Sequence, residues 1–153
     1  MSEHRATVDW RRETPDFDYK TYNRSHTLGF PDGLHVPATA APGNIPAAAI
    51  GRGVDPEQGL VASLSSCHML WFLHLACKAG YVVDRYTDDA VGELGRNGEG
   101  RIAITAVTLR PAVAFSGRQP SPAEHEQLHH EAHEKCFIAN TVKCRIALQP
   151  RIA

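Results

Sequence analysis

The sequence lacks an excess of charge of either sign. Its 16 Lys and Arg residues stand against 17 Asp and Glu residues, for a formal net charge of −1. Nucleic acids and acidic membrane surfaces attract positively charged proteins, so this balance gives no reason to expect either as a partner. Hydrophobic residues at 42% and charged residues at 22% are typical of a globular protein. We expect one domain spanning residues 1–153, or one long protomer of an intertwined dimer.

The sequence also has little that would direct it to a membrane or stabilise it by disulfides. Residues 1–13 are polar and charged, with no apolar segment of a signal peptide. The longest apolar stretch, residues 60–77, is interrupted by serines and histidines, which favours a core helix over a membrane span. We therefore expect a cytoplasmic protein. Cytosolic cysteines are reduced by default, so a disulfide here would indicate catalysis rather than a structural role. The four cysteines are Cys67, Cys77, Cys136 and Cys144.

The order of patterns predicts an α+β fold. Asp55 suits the N-cap of a helix and Pro56 its first position, and Gly80 suits its end, so a long helix is predicted between them. Ser121-Pro122-Ala123-Glu124 is a capping box that begins a second helix, continuing to about Ala139. A long hairpin with an Asn97-Gly98 turn lies between the helices. The predicted strands are residues 6–10, 19–30, 34–36, 81–94, 101–115 and 142–148.

The long helix is apolar over most of its circumference. One small sheet cannot cover such a helix, so we expect antiparallel sheets packed around a buried central helix and a homodimer that supplies the missing cover.

Cys67 lies in the middle of this helix. A lone cysteine on an apolar helix is commonly a small buried hydrophobic residue, but Ser65, Ser66 and His68 place polar groups beside this thiol. Cys136 follows 69 residues later (136 − 67) and could react with it. One attacking sulfur and one resolving sulfur are what two-cysteine peroxide chemistry needs.

A thiol in apolar surroundings is inert unless a cation stabilises its thiolate. Arg24 could supply the cation, and Glu57 could hold the arginine in a bidentate pair. Apolar walls would favour an organic hydroperoxide over hydrogen peroxide.

The segment Val54-Asp55-Pro56-Glu57-Gln58 through Ala62 to Cys67 resembles the signature of the OsmC/Ohr family of organic hydroperoxide reductases. The similarity extends over nearly the whole chain and implies an intertwined homodimer with sites at the subunit interface. It also implies that Cys67 is the peroxidatic cysteine and Cys136 the resolving cysteine, with Glu57 orienting Arg24. A thiol or dithiol would be the reductant. Phe137 follows Cys136 where much of the family has proline, which indicates an OsmC-like branch.

Weaker interpretations remain. His125, His129 and His133 share a helix face with Cys136 and could form a metal site. Ligands on one straight helix rarely close a tetrahedral shell, so we expect a solvated face rich in His and Glu, with no metal or cofactor. The remaining alternative to a peroxidase is a non-catalytic small-molecule-binding or redox-sensing module of the same fold.

Overall fold

The computed structural model describes residues 2–43 and 45–153, and the chain forms two compact units, residues 1–59 and 60–153. The elements are β1 (Thr7–Asp9), β2 (His26–Gly29), β3 (His35–Ala38), a short 3₁₀ helix (Ala47–Ala49), α1 (Pro56–Lys78), β4 (Val82–Asp88), β5 (Val91–Arg96), β6 (Ile102–Leu109), β7 (Pro111–Ser116), α2 (Pro122–Lys135), β8 (Arg145–Leu148) and β9 (Arg151–Ile152).

The N-terminal unit contains a three-stranded antiparallel sheet in the order β1-β2-β3. A turn joins β2 to β3, and Gly33 in it has a φ of +83°, a conformation that favours glycine. The strand predicted at residues 19–30 is wrong over its first part. The amides of Thr21 and Tyr22 both donate to the Asp18 carbonyl, which closes a turn where an extended chain was expected.

Helix α1 begins and ends as its sequence predicts. The Asp55 carboxylate accepts from the Gln58 amide at 2.7 Å, and the Gln58 side chain accepts from the Asp55 amide at 3.2 Å. This reciprocal pair is a capping box. The helix ends at Lys78, followed by Gly80 with a φ of +79°.

One face of α1 is buried. Its fully buried side chains are Leu64, His68, Phe72 and Ala76, spaced four residues apart. By length and composition α1 could cross a membrane, with a mean hydropathy of 1.5 over its best window. Its buried face packs into two hydrophobic clusters of the C-terminal unit, so in this fold α1 serves as a core helix.

The predicted long hairpin divides into four strands in two sheets. β4 pairs with β7 and β5 pairs with β6, both antiparallel. At the division, the Asp88 carboxylate accepts from the Arg110 amide at 2.6 Å. β8 adds to β6 and β9 to β7 in parallel, so both sheets are mixed. Gly92 on β5 lies close to α1, because a Cβ there would stand 2.6 Å from Val61 Cγ2.

Helix α2 starts with the predicted capping box. The Ser121 hydroxyl accepts from the Glu124 amide, and the Glu124 carboxylate accepts from the Ser121 amide. The helix ends at Lys135, with Cys136 as its C-cap, rather than near Ala139. Cys136 therefore lies where the chain leaves the helix.

Candidate active site

The thiols of Cys67 and Cys136 are neighbours in the fold. Cys67 packs against the cluster of buried side chains that contains Cys136, the two thiols are close enough to interact electrostatically, and no disulfide joins them. Cys67 is half-buried in α1, whereas Cys136 is fully buried against Leu64, Val107 and Leu109. The fold thus brings together two thiols that stand 69 residues apart (136 − 67) in the sequence.

The environment of Cys136 keeps its thiol protonated. Burial, and to a smaller extent the neighbouring Cys67 thiol, raise its pKa to about 11. The Ala139 amide, which donates to the Cys136 sulfur at 3.4 Å, acts in the opposite direction. A proton must therefore leave Cys136 before its sulfur can act as a nucleophile.

Cys67 also lines a pocket of about 550 Å³. This volume lies within the usual range of small-molecule sites. Most of the lining surface belongs to apolar and aromatic side chains. The lining residues are Ser63, Ser66, Cys67, Leu70, Trp71, His74, Phe137 and Ile138. The half-buried thiol is thus open to a molecule in the pocket, while its partner is shielded.

The sequence analysis expected apolar walls around the thiol but did not identify the residues that form this pocket. A signal was available, because Ser63, Ser66, Leu70 and His74 recur three or four residues apart and so share the helix face of Cys67.

Arg24 is buried in the N-terminal unit by local contacts. Its guanidinium lies over the Tyr22 ring, 3.4 Å from the ring centroid, and donates to the carbonyl of Tyr19 at 2.7 Å. The Arg24 amide donates to the Ala49 carbonyl at 3.0 Å. The Nε atom is buried without a hydrogen-bond partner among the described residues. The Nε–H group of the guanidinium is therefore an unused donor.

Glu57 lies in the first turn of α1, ten residues before Cys67 on the same helix. Its Oε2 atom is buried and has no hydrogen-bond partner within residues 2–43 and 45–153. No ion pair joins it to Arg24 in the same part of the chain. The predicted carboxylate–arginine pair is thus not made within the single chain, and both groups retain unused hydrogen-bonding atoms.

The fold and these two thiols lead to the comparison with known proteins. The family model for OsmC-like protein matches residues 49–151, more than half of the chain. The chain belongs to the OsmC-like family. This confirms the resemblance in the helix signature and the expected fold class.

Solved structures agree with this assignment. An OsmC-like protein of unknown function, VCA0330 from Vibrio cholerae O1 biovar eltor str. N16961, is 45% identical over 99% of this chain and 100% of its own, with a TM-score of 0.95. The organic hydroperoxide resistance protein OhrB of Bacillus subtilis is 17% identical over 99% and 98%, with a TM-score of 0.65. An organic hydroperoxide resistance protein OsmC from Legionella pneumophila is 17% identical over 100% and 98%, with a TM-score of 0.64. At these low identities the last two show the fold alone. No curated protein matches the sequence significantly.

This OsmC-like chain also contains a buried group of histidines. His125 and His129 are 4% and 1% exposed, so the expectation of a solvated histidine face is wrong for both. This face of α2 packs against Phe72, whose ring stacks on that of His129 with the ring centroids 4.1 Å apart. Among the described residues, no group of three or more His, Cys, Asp and Glu side chains is arranged to hold a metal ion.

Proposed function

We propose that the protein is a thiol peroxidase that reduces organic hydroperoxides, with Cys67 as the attacking cysteine and Cys136 as the resolving one. The observation that carries the proposal is the proximity of Cys136 to Cys67, which lines an apolar pocket. Membership of the OsmC-like family supports a redox role. The apolar lining favours a hydroperoxide with a bulky apolar group.

The proposed reaction has two oxidative steps. The Cys67 thiolate attacks one peroxide oxygen, the O–O bond breaks, and the other oxygen takes a proton and leaves as the alcohol. Cys67 is then a sulfenic acid. The Cys136 sulfur attacks the Cys67 sulfur, the S–O bond breaks, and water leaves, so that a disulfide remains. A thiol or dithiol reductant returns both cysteines to thiols.

Two further features belong to the proposal. Arg24 stabilises the Cys67 thiolate, and Glu57 orients the arginine; the unused Arg24 Nε and Glu57 Oε2 atoms support such a pair. The protein acts as a cytoplasmic homodimer, because exposed apolar side chains such as Leu70 and Phe137, 60% and 70% exposed, need cover. All 153 residues would form one functional domain within each protomer.

Intact mass spectrometry after one equivalent of cumene hydroperoxide tests the reaction. The wild type should lose two hydrogen atoms, and peptide mapping should find Cys67 joined to Cys136. Cys136→Ser should instead gain one oxygen atom, because the sulfenic acid has no resolving thiol. Cys77→Ser is the matched control, since Cys77 is exposed and lies ten residues along α1, about 15 Å from Cys67.

The control should behave as the wild type does. A Cys67 that stays reduced, or that pairs with Cys77 or Cys144, would contradict the proposed reaction and favour a binding or redox-sensing module.

A further inference from the structure

Three buried histidines form a hydrogen-bonded chain between the two helices that carry the reactive thiols. His68 Nε2 lies 3.0 Å from His129 Nδ1, and His129 Nε2 lies 3.3 Å from His125 Nε2. The rings of His68 and His129 are nearly parallel, 5° apart. His68 and His129 are 0% and 1% exposed. Each ring nitrogen inside the chain has another ring nitrogen as its partner.

Such a chain of neutral imidazoles has two alternative arrangements of its ring protons. A neutral imidazole carries one donor and one acceptor nitrogen. Either every bonded hydrogen points from His68 toward His125, or every one points back. A proton that enters at one end and leaves at the other converts one arrangement into the other. Buried packing alone does not need this: Leu or Phe side chains would fill the layer without polar atoms.

The outer end of the chain reaches the surface. His125 and His129 line a pocket of about 540 Å³ together with the exposed residues Glu126, His130 and Arg151. This end of the chain therefore opens onto a pocket with solvent-exposed residues, where protons can be exchanged with water.

The inner end lies beside the thiol-bearing segments. His68 directly follows Cys67 in α1, and its Nδ1 atom is buried with no hydrogen-bond partner among the described residues. His133 acts electrostatically on His68, and its own Nδ1 is likewise buried and unpartnered in that part of the chain. The Cys136 amide donates to the His133 carbonyl, one helical turn away.

We propose that His125, His129 and His68 form a proton relay that serves the resolving thiol Cys136. The proposal rests on the proposed peroxidase function. When the Cys136 sulfur attacks the Cys67 sulfenic acid, the thiol proton enters the relay, and a proton from solvent converts the departing hydroxide to water. When a dithiol attacks the Cys67 sulfur of the disulfide, Cys136 leaves as a thiolate and receives a proton from the relay. The dithiol supplies the two electrons and is oxidised to its own disulfide.

The charge state of the chain suits this role. Burial lowers the pKa of His68 to about 4 and that of His129 to about 3, so both are neutral at pH 7. Burial also lowers the pKa of His125. From β4, Tyr86 approaches His129, with ring centroids 6.5 Å apart, and burial raises the pKa of its phenol, so it stays neutral as well. The carboxylate of Asp88, at the end of β4, also raises the pKa of Tyr86 electrostatically.

His129→Gln tests the relay, because an amide keeps a donor and an acceptor but does not exchange them as an imidazole does. His130→Gln is the matched control, since His130 is the next residue on α2 and is exposed. The rate of Cys67–Cys136 disulfide formation after one equivalent of cumene hydroperoxide, and the rate of its reduction by dithiothreitol, are followed by acid quench and mass spectrometry from pH 6 to 9.

Both rates should fall on the order of 100-fold at pH 7 in His129→Gln. They should then rise about tenfold per pH unit, because hydroxide replaces the relay as the base. The wild type and His130→Gln should show a flatter profile. Wild-type rates and pH profile in His129→Gln would overturn the relay, as would a stoichiometric metal ion bound by His125 and His129 in native mass spectra.

If His129→Gln does not fold, His125→Gln takes its place, because it removes the outer end and leaves the His68–His129 bond. The same altered profile is expected, and an unchanged one would overturn the relay. A wild type that forms no Cys67–Cys136 disulfide would remove both proposals, which distinguishes that failure from a failure of the relay alone.

Discussion

Acidification should destabilise this protein well above the pH at which its carboxylates become protonated. In the unfolded chain the pKa of a histidine is about 6.5. In the folded chain it is about 4 for His68 and about 3 for His129. At pH values between the folded and the unfolded pKa, the unfolded state therefore binds more protons than the folded state. Stability is full above pH 7 and falls as the pH drops below about 6.5.

The magnitude follows from the two shifts. At pH 5 each of these histidines lowers the free energy of unfolding by about 2 kcal/mol relative to pH 8, because it is protonated in the unfolded chain and neutral in the folded one. The pair therefore lowers it by about 4 kcal/mol. This is a large part of the 5–15 kcal/mol typical of a folded domain. Near pH 5.5 these two histidines should together take up about two protons on unfolding. Glu124, whose pKa is lowered to about 2 mainly by the Ser121 amide, contributes only at lower pH.

Urea denaturation at pH 8, 7, 6 and 5 measures this dependence at one fixed protein concentration, since association would also stabilise the fold. His129→Gln should reduce the proton uptake by about one, because one buried imidazole is gone. His130→Gln should leave it unchanged, since that side chain is exposed. A free energy of unfolding that stays constant from pH 7 to pH 5 would refute the buried neutral histidine chain.

Two further predictions concern the proposed reaction and assembly. Arg24→Met should leave the circular dichroism spectrum unchanged and lower the second-order rate of Cys67 oxidation in stopped-flow by two to three decades, about 2–4 kcal/mol of lost electrostatic stabilisation. Glu57→Gln should give a smaller loss, because the arginine is no longer oriented but is still charged; wild-type speed in Arg24→Met would show that another cation serves Cys67. Sedimentation at low micromolar concentration should find a dimer, because the apolar surface of α1 needs a second subunit for cover, and a stable folded monomer there would contradict this.

Local signals in the sequence determined the two helices. Asp55, Gln58 and Gly80 delimit α1, and Ser121 and Glu124 begin α2, because capping groups act within one helical turn of the backbone they satisfy. The helix signature around Cys67 likewise identified the family before any contact was known.

Only the tertiary structure decided the arrangement of the strands and the histidines. The strands β8 and β9 pair in parallel with strands far away in the chain, so no local pattern predicts these pairings, although the strand containing β8 was predicted. The proximity of Cys67 and Cys136 joins α1 to the C-terminal end of α2, and the sequence could offer the two thiols as possible partners without showing that they meet. His125 and His129 have the same spacing on a solvated face and on a buried one. Their burial depends on which side of α2 meets α1, and long-range packing of the whole core determines that orientation.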